Sequence, residues 1–438
     1  MNTKKWIALG LSKGLTDVEI SVSESSSLKL VAYEGKIEQN TISDVSTVSI
    51  RGIYEGNIGK VRFEYISDEQ VDKMLDKVIE NAKVITVKEP AIIYEGSASY
   101  PEVKANDFDF SSVDMNKKVS DLITLETTIR ANEKVSNVQT AVYQENSSGA
   151  ILTNSKGLHL TRKNRFAYAY GIGVFKEGDD INTAYEFDIF KTYEAFDPNK
   201  LANITIEKGL KRLGAVSLPT KFYPVVFSNE TFSDLLSVFS NLYSAESAYR
   251  HLTPFENKVG EKIAQANFNL IDDPLHEKAY FQIPFDDEGV ACQKKYVIKD
   301  GVFQGFMNDL KMATMMKQEP TGNSFGGGIR TTNMYLEPGD LSFDDMIATI
   351  EDGVYLTDLV GLHAGVKTIS GDFSLQASGF KIENGKIAFP VNMIVVSGNF
   401  FDVMNNLVTL ANDLKFDVSG FGSPSVHVKS LSISGETK

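Results

Sequence analysis

From residue 17 onward, apolar and polar positions alternate. Val18, Ile20 and Val22, then Leu28 and Leu30, then Val45, Thr47 and Ser49 leading to Ile50 predict a meander of strands over 17–66, with "EGK" and "EGN" as turns. At 68–84 the period changes. Val71, Met74, Leu75, Val78, Ile79 and Ala82 fall on one face of a helix, with Ser67 or Asp68 as N-cap. Residues 86–110, rich in Pro, Tyr, Asp and Glu, follow neither period and read as a linker or irregular crossing segment at a unit boundary.

Ser111 or Ser112 then caps a helix carrying Val119, Leu122, Ile123, Glu126 and Ile129. Strands resume between Asn137 and Tyr193, and a helix near 200–213 closes this second unit. Ser228 or Asn229 opens a helical run reaching Arg250, whose Phe232, Leu235, Leu236, Phe239, Leu242 and Tyr243 form a core-facing stripe. Beyond it the pattern is mostly β, with hairpin turns at Asp300-Gly301 and Asn384-Gly385. Two helices interrupt it, one at 343–352 stopped by Gly353 and one at 400–411 capped by Asn399. The expected fold class is α+β: N-terminal strand-helix units at 1–88 and 89–218, read together as one N-terminal domain, then a large, mostly antiparallel β C-terminal domain with a few helices at 219–438.

Composition fits an ordinary globular chain: of 438 residues, 42% are apolar, 10% aromatic and 23% charged. Lys and Arg total 44 against 58 Asp and Glu, and the resulting net charge of −14 would repel a phosphate backbone. The most basic stretch, Arg162, Lys163 and Arg165, alternates with Tyr168 and Tyr170 and reads as the solvent face of a strand, so no nucleic-acid partner is expected. Cys292 is alone, which excludes an intrachain disulfide. Between Val290 and Ala291 on one side and Gln293 on the other, it reads as a buried, inert thiol in a reducing compartment. No run approaches the roughly 18 apolar residues of a membrane span, so a cytoplasmic location is expected.

The one His-Glu pair, His276-Glu277 in "DDPLHEKAYF", invites comparison with zinc peptidases, which place a second His one helical turn onward. Those positions hold Tyr280 and Phe281, and Pro274 and Pro284 bracket the segment, so it reads as a surface strand end. His159, His251, His363 and His427 each stand alone. "GNSFGGGIRTTNMYLEPG" at 322–339 lacks the Lys and following helix of a phosphate-binding loop, and reads as a surface loop lining a cleft or partner surface. "DDEG" at 286–289 reads as a solvated turn.

Five segments are similar in wording and order to one family: "GEKIAQANFNLIDDP" (260–274), "DDEGVACQKKYVIKDGVFQGFMND" (286–309), "TTNMYLEPGD" (331–340), "GFKIENGKIAFPV" (379–391) and "SGNFFDVMNNLVTLANDLKF" (397–416). They resemble the TldD/PmbA family, also called TldD/TldE and, in older naming, modulator of DNA gyrase. That resemblance implies heterodimers in which one subunit, TldD, carries an H-E-x-x-x-H zinc motif and is the peptidase. The other subunit, TldE or PmbA, has the same fold without the ligands. Counted back from "VGEKIA", the motif slots fall at Leu236, Ser237 and Asn241, none a zinc ligand. "NDLKFDVSGFGSPSVHVKSLSISG" also lacks the Cys ligand of the metal-bearing branch and resembles the PmbA/TldE wording.

The resemblance therefore implies a chain with no catalytic residue and no metal of its own, partnered by a TldD-like subunit that holds zinc and acts on unfolded or small peptides. Candidates for peptide binding or the partner surface are Phe325, Gly326, Gly327, Arg330, Thr332 and Asn333 of the glycine-rich segment, which would offer backbone to an extended peptide. The rival expectation is a stand-alone, homodimeric peptide-binding or scaffold protein without proteolysis. A third is a metallopeptidase with ligands gathered from His251, His363 and Asp or Glu.

Overall fold

A computed structural model of the chain describes residues 2–64 and 67–436. Tyr65 and Ile66, at the end of the expected meander, lie outside the described residues. The chain divides into two compact units, one of Met1–Leu213 with Asp287–Ala291 and Ala313–Glu319, the other of Gly214–Asp286, Cys292–Met312 and Pro320–Lys438. With mostly antiparallel sheets carrying helices on their faces, the fold is α+β, as the patterning predicted.

In the first unit the elements are α1 (Thr3–Ser12), β1 (Asp17–Tyr33), β2 (Lys36–Tyr54), β3 (Asn57–Phe63), α2 (Val71–Lys83), α3 (Met115–Arg130), β4 (Val135–Asn154), β5 (His159–Glu177), β6 (Asp180–Phe190) and α4 (Pro198–Lys211). Their strands form one sheet in the order β3-β2-β1-β4-β5-β6. The irregular stretch read at 86–110 runs between strands of this one sheet. β1 pairs with β4 from Glu19↔Asn154 to Ala32↔Ala141, so strands on both sides of the irregular stretch share one hydrogen-bonded ladder. Helices α1 and α2 cover one part of the sheet through Trp6, Leu75 and Val78, and α3 covers another through Leu122, Leu125 and Ile129. The α2 backbone lies close on β3: a Cβ at Gly59 would stand 1.9 Å from the Val78 carbonyl oxygen.

The second unit opens with β7 (Lys221–Phe227), α5 (Asn229–Phe239) and α6 (Ala245–Tyr249). Short strands follow: β8 (Leu270–Asp272), β9 (Lys295–Lys299), β10 (Val302–Phe303), β11 (Ser324–Phe325), β12 (Gly328–Ile329) and β13 (Met334–Leu336). Next come α7 (Phe343–Ala348), β14 (Asp352–Val360), β15 (Val366–Lys367), β16 (Asp372–Glu383), β17 (Lys386–Asn399) and α8 (Phe400–Asn405). The chain ends through β18 (Leu407–Leu410), β19 (Lys415–Phe416), β20 (Phe421–Ser423) and β21 (Val426–Gly435).

Strands β14-β7-β21-β17-β16 are neighbours in that order, and β16 returns to pair with β14, which closes them into a barrel without free edges. A second sheet runs β10-β9-β8-β13-β20-β19, and β11-β12 stands apart as a two-stranded hairpin. Its turn, Gly326-Gly327, has φ of 60° and 81°, the pair of positive values a two-residue hairpin needs. The predicted turns at Asp300-Gly301 and Asn384-Gly385 have the same signature.

Three helices are shorter than their patterns predicted. The run from Asn229 to Arg250 is not one helix. Ser240–Tyr243 tightens into a 3₁₀ turn, and Ser244 bridges Met307 before capping α6. The helix read over 400–411 stops at Asn405, because Leu407, Thr409 and Leu410 pair with β21, where a β-branched Val408-Thr409 suits a strand. The helix read over 343–352 ends at Ala348, before β14 begins at Asp352. The N-terminal patch Trp6–Leu11 belongs to a helix that patterning did not announce, capped by the Asn2 side chain.

Candidate functional site

The second unit holds a cleft of about 860 Å³ whose walls come from separate parts of the chain. One wall is the end of α5, the 3₁₀ turn and α6, presenting Ser237, Ser240, Asn241, Glu246 and Arg250. The facing wall is the β12 end of the glycine hairpin, with Ile329, Arg330 and Thr331; Thr368, Ile369, Ser419 and Phe421 complete it.

Helix α5 sits here because its apolar stripe is buried. Phe232, Leu235 and Phe239 are inaccessible, and Phe239 stacks on Phe400 with ring centroids 4.2 Å apart. Ser228 caps the helix by accepting from the Thr231 amide. Of the three motif slots read from sequence, Ser237 and Asn241 line the cleft. Leu236, only 1% exposed, turns into the core instead, because a helix places adjacent residues on different faces.

The hairpin wall is fixed from behind by buried polar groups. Asp272, with no solvent exposure, accepts four hydrogen bonds: from Lys295 Nζ (3.0 Å), Asn323 Nδ2 (2.9 Å), the Thr332 amide (2.7 Å) and Thr332 Oγ1 (2.8 Å). Asn323 also donates to the Arg330 carbonyl, while its own carbonyl accepts from the Arg330 amide. Asp286, equally buried, accepts from the Ser324 amide at 3.0 Å. The solvated turn read at 286–289 is therefore corrected at its first residue: Asp286 is a buried brace of the hairpin, because an unpaired amide there would be costly.

The glycine-segment candidates separate into two groups. Arg330 lines the cleft, and half-buried Phe325 leads into the exposed Gly326-Gly327 tip of its hairpin. Thr332 and Asn333 do not face it. Both are buried, Thr332 on Asp272 and Asn333 donating to the carbonyls of Asp273 and Phe281. Sequence reading missed Ser240, Glu246, Arg250, Ser419 and Phe421, which carry no motif and meet only through the fold.

The His-Glu pair lies in a turn after β8, not at a strand end. His276 packs edge-on against Tyr335 and beside Phe416, and burial pushes its pKa below the ordinary value. His251 contacts Glu256, His159 contacts Thr153, His363 is exposed in a short helix, and His427 is buried. Among the described residues, no group of three or more His, Cys, Asp or Glu is placed to hold a metal ion. Cys292 is buried, its thiol donating to the Gly322 carbonyl at 3.1 Å.

One turn before Ser237, the Asp234 carboxyl is pushed up to about 6, first by burial and then by the charges of Asp417, Glu230 and Asp358. Between its ordinary value of 3.8 and about 6 the folded chain binds a proton that the unfolded chain has released. Stability from this group is therefore gained as pH falls through 6 and lost as it rises. Asp234→Asn is expected to stabilise the protein at about pH 8 by roughly 1–2 kcal/mol, allowing for partial exposure, with the gain vanishing near about pH 4. Urea unfolding of both proteins across that range measures it.

Three consecutive family models match the chain: PmbA/TldA metallopeptidase domain 1 over 18–82, the central domain over 108–213 and the C-terminal domain over 220–435. The chain is 24% identical to Metalloprotease PmbA of Escherichia coli O157:H7, over 93% of this chain and 90% of that protein. It is 28% identical to a Metalloprotease TldD homolog of Haemophilus influenzae over about half of each chain, 53% and 52%. Among solved structures, a Thermotoga maritima protein described as a candidate modulator of a DNA gyrase superposes with a TM-score of 0.93 at 29% identity, covering 99% of both chains. TldE from Thermococcus kodakarensis shares the fold with a TM-score of 0.90 at 22% identity, over 99% of this chain and 100% of that one. With family models running almost from end to end and PmbA relatives aligned along nearly its whole length, this chain belongs to the PmbA/TldD family.

Proposed function

We propose that this chain is the PmbA/TldE-like subunit of a TldD/TldE-type heterodimeric metallopeptidase acting on unfolded or small peptides. In this reading it lacks the zinc ligands, helps to enclose the site of a zinc-bearing TldD-like partner, and holds peptide in its own cleft. The observation that carries the reading is the chemistry of the cleft wall. Where the family resemblance puts a peptidase's ligands, α5 and its following turn offer Ser237 and Asn241 to the cleft and Leu236 to the core. A hydroxyl, an amide and a leucine do not fit zinc, which takes imidazole, thiolate or carboxylate.

A peptide-holding role is supported by the opposite wall. The β11-β12 hairpin pairs with no other strand among the described residues, so it leaves a side beside the cleft at which an extended peptide can be added irrespective of its sequence. No helix among the described residues is long and apolar enough to cross a membrane, and a cytoplasmic location is part of the proposal. The experiment is reconstitution with a zinc-bearing TldD-like subunit and an unfolded peptide, with cleavage compared in the presence and absence of this chain.

A further inference from the structure

The charges lining the cleft do not cancel. Its ionisable wall residues are Glu246, Arg250 and Arg330. Glu246 on α6 and Arg250 at its C-cap sit one turn apart and pair at 2.7 Å. Arg330 remains: its backbone is tied to Asn323 on both sides, yet its guanidinium has no ion pair or hydrogen bond among the described residues. The hairpin keeps that group in place. The guanidinium stands 3.9 Å from where a Cβ on Gly326 would be, so it lies over the bare glycine turn. Among the described residues lining the cleft this leaves one uncompensated, permanently charged cation, although the net charge of the chain is −14.

Around it the cleft offers donors without commitments. The hydroxyls of Ser237, Ser247, Thr331 and Thr368 and the amide of Asn241 line the same space, and none has a hydrogen-bond partner among the described residues. A planar guanidinium with neutral donors nearby suits a carboxylate, whose two oxygens accept the paired N–H groups in a fork.

We infer that Arg330 makes this cleft a carboxylate-recognising site, so that the peptides it holds are anchored through a free C-terminal carboxylate or an acidic side chain against the hairpin. The inference rests on the peptide-holding reading above and deepens it by naming the group recognised. The anchor fixes one end of the peptide, while the hairpin backbone supplies contacts that are blind to sequence.

The test uses the full chain and a fluorescent, unstructured peptide in four forms: free acid or C-terminal amide, each with Glu or Gln at one internal position. Binding by anisotropy is expected to weaken at least about tenfold when the recognised carboxylate is neutralised. The acid–amide pair reports a C-terminal source and the Glu–Gln pair a side-chain source. R330Q, at an exposed side chain with no internal partner, is expected to erase that discrimination, and R330K to keep part of it, since a point charge lacks the fork. Equal binding of all four forms by the native chain overturns the carboxylate inference and leaves the peptide-holding reading standing. Full discrimination by R330Q overturns it as well. Absence of binding by every form overturns the peptide-holding reading and this inference with it.

Discussion

Asp272→Ala is expected to destabilise the protein by about 3–5 kcal/mol, the cost of stripping one partner from a buried charge network. The carboxylate has no solvent exposure and ties together β8, Lys295 on β9, Asn323 before the hairpin and Thr332 after it. Removing it leaves the partly buried Lys295 ammonium beside Asn323 alone, and the buried Thr332 amide without its acceptor. Asp272→Asn keeps the shape but loses the charge opposite Lys295, so it falls between the two. Denaturant unfolding reads the difference. A loss under about 1 kcal/mol for the alanine variant would show that the brace is redundant. Because Asp272 holds the strands that frame Arg330, peptide binding is expected to fall as well.

The facing wall depends on packing instead of charge. Phe400, fully buried at the start of α8, stacks on Phe239 at the end of α5 with the rings nearly parallel at 9°. Phe400→Ala removes the surface on which the cleft helix rests and is expected to cost about 3–5 kcal/mol, with the value set by how far α5 can collapse into the space. The same unfolding measurement checks it. Phe400→Leu, which refills most of the volume, recovers a large part of the loss if packing is the cause. A cost for Phe400→Ala matching that of an exposed substitution would contradict the assigned role of this stack.

Much of this architecture is legible in the sequence. Alternation along β1 and β2, the stripe through Val71, Leu75 and Val78, and the paired turn residues at Asp300-Gly301 and Asn384-Gly385 are local signals, and each appears at its predicted place. What failed was long-range. The stripe through Leu242 and Tyr243 continues a helical pattern, but pairing of Ser244 with Met307, distant in sequence, ends the helix and creates the turn that lines the cleft. Val408 and Thr409 fit either a helix end or a strand, and β21 decides between them.

The site was legible in part for the same reason. Ser237, Asn241 and Arg330 were singled out and do line one cleft. Asp272 and Asp286, in contrast, sit within "DDP" and "DDEG", segments that look solvated because acidic residues usually are. Their burial follows from backbone amides and a lysine that only the folded chain brings to them. Thr332 and Asn333 were drawn the other way: polar residues in a glycine-rich segment read as surface, yet they are the buried foot of the hairpin.

The central claim is that this chain serves a zinc-bearing sibling and is not itself the peptidase. It is tested most directly by the rate at which a purified TldD-like subunit cleaves an unfolded peptide, with and without an equimolar amount of this chain. The account predicts little cleavage by either chain alone and a marked rise when both are present. An unchanged rate, or cleavage by this chain alone with stoichiometric zinc bound, would contradict it.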